Sequence, residues 1–398
     1  MTEGPGHLLQ RRALLLAGSA LALPARAQQP RPFGVGLVTQ ADDERYGPQA
    51  LQKGYPDAPG GRSAPAAEIA LNDSLVLLRL VGWTEARLHA AEAATAAEVP
   101  AALRRLQQQG VRHVVLELPA GGVVAAASAG LDLLLFNAAA PEDALRAAQC
   151  ASRLLHTLPS HAMQMDAIAQ LLAARKWNRP LVLFGPLPGD QLLRTAFQRS
   201  AKRFGLKPVA ERPFKLSNDP RERDLGNVRL LTADREYDAV VVLDADGEFA
   251  RDVPYRTVLP RPVMGSNGET AQAWSPYHER YGAPQLSRRF LRRAQRPMTS
   301  YDWATWMAVR TAAEVTGTFP HADSAQQLQA LRQGAVAVDG YKGQRLTYRG
   351  WDGQLRQPLL LAHGNGVSDE APFEGFLHPR TTLDTLGFDE PESGCRAR

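Results

Sequence analysis

At 398 residues the chain exceeds what one hydrophobic core usually serves, so two lobes are the expectation. Its 46 basic and 41 acidic residues leave a formal charge of +5, which does not argue for a nucleic-acid partner. Removing residues 1–27 would take away three basic residues and one acidic one and bring the charge nearer balance.

Those first 27 residues read as a targeting segment. Arg11 and Arg12 precede an uncharged apolar run over 13–23, and Ala25-Arg26-Ala27 has the small-x-small pattern of a cleavage site. Residues 1–27 are therefore expected to be a cleavable signal peptide, exported by the Sec route or, given the paired arginines, the Tat route. No other run approaches membrane length, so the mature chain is not expected to span a bilayer. In an oxidising compartment Cys150 and Cys395 are expected to bridge and pin the C-terminal tail; the alternative is two unpaired thiols.

After the leader, residues 33–38 read as a first strand, 54–65 as a Gly/Pro-rich loop and 75–81 as a second strand. Residues 84–109 are Ala-rich and read as helical, with Pro100 in the first turn of a second helix and Gly110 capping its end. Strands are expected at 111–118 and 131–136. A second α/β series follows: helix 163–176, strand 180–184, helix 189–204, strand 206–211, helix 221–232, strand 239–243 and strand 262–265. Helices return near 285–295, 300–316 and 323–333. Thr299 and Asp302 have capping-box spacing, and Gly317 is placed to end the middle helix. Asp352-Gly353 between β-rich flanks signals a hairpin, and the chain from Val367 reads as loop.

This order suits a chain that passes between two lobes three times. The expected fold is α/β, with two Rossmann-like lobes of parallel sheet flanked by helices and joined by a three-crossover hinge. The expected boundaries are 31–156 and 268–338 for lobe one, 157–267 and 339–366 for lobe two, and 367–398 for the tail.

The layout, and the stretch Met298-Thr-Ser-Tyr-Asp-Trp-Ala-Thr-Trp-Met-Ala-Val-Arg310, resemble type I periplasmic binding proteins of the leucine/isoleucine/valine group. Thr157-Leu-Pro-Ser-His161 resembles that group's passage into its second lobe. Asn137-Ala-Ala-Ala-Pro-Glu-Asp-Ala-Leu-Arg146, Gly350-Trp-Asp-Gly-Gln-Leu-Arg-Gln-Pro358 and the tail Leu383-Asp-Thr-Leu-Gly-Phe-Asp389 resemble a narrower group. That group is the ABC-transporter substrate-binding proteins associated with PQQ-dependent alcohol oxidation. The resemblance covers nearly the whole mature chain. It implies the type I periplasmic binding protein fold, a periplasmic location, a small-molecule ligand in the interlobe cleft and an inner-membrane ABC permease as partner. It implies no catalysis and no cofactor.

Ligand contacts in such a fold come from loops at the carboxyl ends of strands. Four loops qualify. Gly121 and Gly122 follow the third strand and either let backbone approach a ligand or form an ordinary turn. Asn137 and Ala138 follow the fourth. The resemblance implies Ser and Thr hydroxyls for a ligand carboxylate in these two loops; Gly and Ala stand here instead, although backbone N–H groups remain. Ser160 and His161 start a helix, where Ser160 serves either as cap or as ligand contact. Asp244 and Asp246 follow the most apolar strand of lobe two. Asn267 and Trp274 sit at the expected second crossing, with Trp274 either stacking on a ligand or filling an interface. A lining so short of hydroxyls predicts a weakly charged ligand.

Two other readings compete. A strand ending in Asp244-Ala-Asp246 resembles the metal-binding motif of nucleotide-sugar glycosyltransferases. Arg288, Arg289, Arg292, Arg293 and Arg296 partly share a helix face, which would suit docking to an acidic receptor in a sensor of the same fold. No G-x-S-x-G or H-E-x-x-H occurs, Gly34-Val-Gly36 lacks the spacing of a dinucleotide loop, and the nine histidines do not cluster, so no catalytic or metal site is expected.

Overall fold

The computed structural model describes residues 1–2, 32–233 and 236–395. The expected signal peptide therefore lies outside the described residues.

Lobe one starts with β1 (Pro32–Gln40), followed by α1 (Pro48–Lys53) and α2 (Ala64–Leu80). The run at 75–81 is thus helical rather than a strand. Ala67, Ala70, Leu71, Ser74 and Leu78 recur on one buried face, while Val76 and Leu80 point to solvent. Leucine supports a helix well, and Pro65 sits in its first turn. The Ala-rich segment gives β2 (Glu85–Ala93) before α3 (Val99–Gln108). Its alanines adopt strand geometry because all nine residues pair in parallel with β1, so tertiary pairing overrides a helical preference. β3 (His113–Glu117), α4 (Ala120–Ala127), β4 (Leu134–Asn137) and β5 (Leu154–His156) complete a parallel sheet of order β2-β1-β3-β4-β5.

Lobe two runs through α5 (His161–Ala174), β6 (Pro180–Phe184), α6 (Pro188–Arg203), β7 (Ala210–Pro213) and α7 (Val228–Leu231). It continues with β8 (Ala239–Leu243), α8 (Val253–Arg256), β9 (Val263–Gly265) and β10 (Thr270–Gln272). Its parallel sheet has the order β7-β6-β8-β9. The chain then returns to lobe one with α9 (Ala283–Ala294), α10 (Ser300–Thr318) and α11 (Ser324–Arg332). The capping box of Thr299 and Asp302 starts α10. Gly317 does not end it: a Cβ there would lie 2.7 Å from Leu77, so this glycine lets α10 pack tightly on α2.

The short pair β11 (Val338–Asp339) and β12 (Arg345–Leu346) precedes the third crossing. Asp352-Gly353 turns the chain, but only a single bridge, Tyr348 to Leu355, flanks it. The regular hairpin is β13 (Leu359–His363) with β14 (Gly366–Ala371), turning at Gly364-Asn365, so the chain beyond Val367 is strand before it becomes loop. β10 pairs with β13 and packs in the core of lobe two. Trp274, Leu346, Tyr348 and Leu355 pack in that of lobe one. The second crossing accordingly follows Gln272 rather than residue 267, and the third falls near 356–358 rather than 339.

The first and third crossings are bonded side by side. Gln357 Nε2 donates to Thr157 O (2.8 Å), and Gln354 Nε2 to Leu158 O (3.1 Å). Lys342 Nζ donates to Pro358 O (2.8 Å) and lies 4.0 Å from the Trp303 ring centre. Two of the three sequence stretches that carry the narrower resemblance also meet. Arg356 reaches Asp384 at 2.8 Å, as does Arg349 just ahead of the first stretch, and Gly387 N–H donates to the buried Asp166. A disulfide from Cys395 to Cys150, with Cα atoms 5.6 Å apart, returns the tail to lobe one.

Candidate ligand-binding cleft

The carboxyl ends of both parallel sheets look into the space between the lobes, as the crossing pattern requires. Two of the four expected loops are closed by the protein itself. At the end of β4 the buried Asn137 turns Oδ1 back on its own loop and accepts from Ala139 N (3.2 Å) and Ala140 N (2.9 Å). Its Nδ2 donates to Ala140 O (2.8 Å), and Ala138 N donates to Leu116 O. The backbone donors expected to remain here are therefore engaged.

The start of α5 is likewise filled. Ser160 Oγ caps it by accepting from Met163 N (3.3 Å). Asp143 accepts from Ala162 N (3.0 Å), and Pro141 O from His161 N (3.0 Å). An anion finds no free N–H in that turn.

The other expected residues divide. Gly122 is buried because a Cβ would lie 2.8 Å from Gln40 Oε1; Gly121 is exposed with open space beside it, at the uncapped start of α4. Asp244 is buried and accepts from Ala250 N (2.7 Å), while Asp246 is exposed and holds Glu248 N (3.0 Å). Burial, reinforced by the neighbouring Asp246, pushes Asp244 up to about 7. This turn work runs against the metal-motif reading, and no cluster of His, Cys, Asp and Glu suited to a metal occurs among the described residues. Asn267 donates to Ala250 O and Arg251 O (3.1 and 3.2 Å) and so fastens a turn. Trp274 is 1% exposed and stacks on Trp303 in the core of lobe one, which removes it from the cleft. Arg289, Arg293 and Arg296 are paired with Asp73, Glu68 and Asp302, so much of the arginine face is engaged within lobe one.

What sequence reasoning missed is a polar chamber formed largely by residues before and after the first helical turns. Arg45, in the 3-10 turn Glu44–Tyr46, grips Asp43 through both oxygens (2.9 and 2.7 Å) and also donates to Ala139 O. Tyr46 lies under the Arg62 guanidinium (4.0 Å) and beside the Glu117 carboxylate. Asp57, from the Gly/Pro-rich loop, accepts from Gln164 Nε2 (2.7 Å) of lobe two and from Ser300 Oγ of α10. Tyr301 sits in the field of Arg45, Asp57, Glu142 and Asp43. Burial pushes Asp57 and Glu117 each up to about 7 and holds His161 below its usual value.

Several buried polar atoms in this cluster have no partner within the protein: Gln40 Oε1, Arg62 Nη1 and Glu142 Oε2 from lobe one, and His161 Nδ1 from lobe two. The loop that carries Asp57 also spans the gap. Lys53 pairs with Glu248 (3.1 Å), and a Cβ on Gly247 would lie 2.6 Å from the Tyr55 ring. The lining is thus richer in charge than the four expected loops suggested. Cavities of about 440 and 390 Å³ are lined by residues of lobe two, among them Lys215 and Tyr255 in the first and Trp177 and His363 in the second, and by none of this cluster.

No known family profile matches the chain, and no curated protein does. Solved structures do resemble it. The leucine-, isoleucine-, valine-, threonine- and alanine-binding protein of Brucella ovis, in its closed conformation, superposes with TM-score 0.69 at 13% identity, over 92% of this chain and 99% of that one. A branched-chain amino acid ABC-transporter periplasmic ligand-binding protein from Burkholderia xenovorans gives 0.67 at 14% identity, over 91% and 99%. A solute-binding protein of a Rhodopseudomonas palustris ABC transporter, in complex with benzoate, gives 0.60 at 12% identity, over 92% and 99%. The fold is that of the type I periplasmic binding proteins. The Burkholderia and Rhodopseudomonas proteins are binding components of ABC transporters, and the Brucella protein is a binding protein for amino acids. No helix among the described residues is long and apolar enough to cross a membrane.

Proposed function

We propose that this protein is the periplasmic substrate-binding component of an ABC transporter and holds a small solute between its lobes. The observation that carries the reading is the cluster of buried polar and ionisable groups where the lobes meet, Arg45, Tyr46, Asp57 and Glu142 from lobe one with His161 and Gln164 from lobe two, in which Gln40 Oε1, Glu142 Oε2 and His161 Nδ1 have no partner within the protein. A folded protein rarely leaves such atoms unsatisfied, because each costs about 1–3 kcal/mol. A ligand with matching groups satisfies them only when the lobes are together, so it stabilises the closed form. His161 and the open start of α4 at Gly121 belong to this site in our reading; Ser160 and Asn137 shape it from behind. The leader over 1–27 would deliver the chain to the periplasm, and an inner-membrane permease would receive the closed form. The resemblance in Gly350–Pro358 and Leu383–Asp389 supports a setting in PQQ-dependent alcohol oxidation.

Thermal-shift screening with amino acids, alcohols, organic acids, amines and the quinone tests this, paired with small-angle scattering. A stabilising compound should also compact the particle. Stabilisation without compaction, or none by any compound, would count against a closing cleft.

A further inference from the structure

We infer that the cleft takes a small primary amine without a carboxylate, its ammonium seated among Asp57, Glu142 and Tyr301. This rests on the solute-binding reading and narrows it to one chemical class.

Most of the donors that would hold an acid are closed; the uncapped start of α4 and Arg62 Nη1, which lies in the field of the Glu117 carboxylate, are the exceptions. The N–H groups of Ala139 and Ala140 serve Asn137, and those of His161, Ala162 and Met163 serve Pro141, Asp143 and Ser160. At the remaining helix start, Gln40 Oε1 lies over Gly122, so an acceptor already stands where a carboxylate would come. The guanidinium of Arg45 is held by Asp43, and that of Arg62 lies on the Tyr46 ring with one nitrogen on Gln40 O.

Apart from Arg62 Nη1 and His161 Nδ1, the side-chain groups left over are acceptors. Gln40, 6% exposed, has a free Oε1, and Glu142 has a free Oε2; each needs a donor. Tyr46, 9% exposed, places its hydroxyl beside the Glu117 carboxylate, which leaves its oxygen able to accept. Asp57 receives hydrogen bonds only from the neutral groups Gln164 and Ser300, so its charge has no counterion. An ammonium supplies several donors and a positive charge at once, and the Tyr301 ring offers it an electron-rich face.

The groups facing Asp57 are Gln164 of α5 and Ser300 and Tyr301 of α10; Tyr301 in turn sits in the field of Arg45, Asp43 and Glu142, and His161 in that of Glu142 and Asp143. With Asp57 pushed up to about 7 by burial, the empty site carries a proton there part of the time. A bound ammonium favours the ionised carboxylate, so binding expels that proton. Affinity for an amine should therefore rise from about pH 6 to about pH 8, a range in which the amine itself stays charged.

Calorimetry with two matched trios on the full mature protein decides the class: benzylamine, benzyl alcohol and benzoate; butylamine, butanol and butyrate; leucine is added to both. The amine of at least one trio should bind about tenfold or more tightly than its acid, its alcohol and leucine. It should release protons, read as a heat that differs between phosphate and HEPES buffers, neither of which is a primary amine. Asp57→Asn and Glu142→Gln should each weaken the amine about tenfold. Melting curves of both variants show that they fold. Tighter binding of an acid, an alcohol or leucine overturns the amine and leaves the solute-binding reading standing. Silence from both amines overturns it too. The broader reading falls only if the compound screen and the scattering are also blank.

Discussion

Two groups of strand-end residues face the same cleft in opposite states. The loop after β4 and the first turn of α5 have nearly every donor engaged inside the protein, by Asn137, Asp143 and Ser160. Around them Gln40, Glu142 and His161 carry buried atoms with no partner within the protein. The first group is scaffold, and in the proposed reading the second is the part that a ligand completes. On that reading it is satisfaction, not position at a strand end, that separates binding residues from framework.

The comparison breaks first at Asn137. Asn137→Ala would strand the Ala139 and Ala140 N–H groups in a buried loop and should cost about 3 kcal/mol in urea unfolding. A cost below about 1 kcal/mol would mean that the loop is not sealed by this side chain. Cys150→Ser tests the tether between the tail and lobe one; a loss of about 2 kcal/mol is expected. An unchanged stability would show that the tail is held by Asp384 and Gly387 alone.

Asp57 sharpens the contrast through pH. Its folded value is raised above its unfolded one, so the folded chain holds the proton longer. The group's contribution to stability is therefore present near pH 4 and is lost as pH climbs through about 7. After allowance for solvent screening the effect is on the order of 1 kcal/mol. Melting temperature should fall less steeply with pH in Asp57→Asn than in the natural chain; equal slopes would exonerate Asp57. The smallest effect on stability belongs to Tyr46→Phe. Its hydroxyl bonds the Glu117 carboxylate and nothing else, so removal should change unfolding by no more than about 1 kcal/mol while weakening ligand binding. A large loss of stability would place Tyr46 with the scaffold.

Much of the fold was legible in the sequence. β6, β8 and the helices from α9 to α11 lie within a few residues of their expected limits, because period and caps agree there. The errors came where local signal and tertiary demand conflict. Residues 75–81 are apolar enough for a strand, yet they bury one helical face against α10. Residues 85–93 are Ala-rich, yet β1 recruits them as its edge partner. Gly364-Asn365 carried a hairpin signal outweighed by Asp352-Gly353.

The site was far less legible. Ser160 and His161 were visible from a helix start, and Gly121 from a strand end. Asp57 was not, because a Gly/Pro-rich loop has no period to read. Its partner Ser300 is 243 positions away, so the pair exists only after the chain has crossed between lobes and returned. Trp274 illustrates the reverse: an aromatic residue at a crossing looks like a stacking platform until the core of lobe one is seen to enclose it.

The cleft itself is tested most directly by mass spectrometry of small molecules released from the protein after isolation from the cells that make it. A single compound, recovered at close to one equivalent per chain and absent from a denatured control, is the expected result. Protein that is folded and closed yet releases nothing would contradict it.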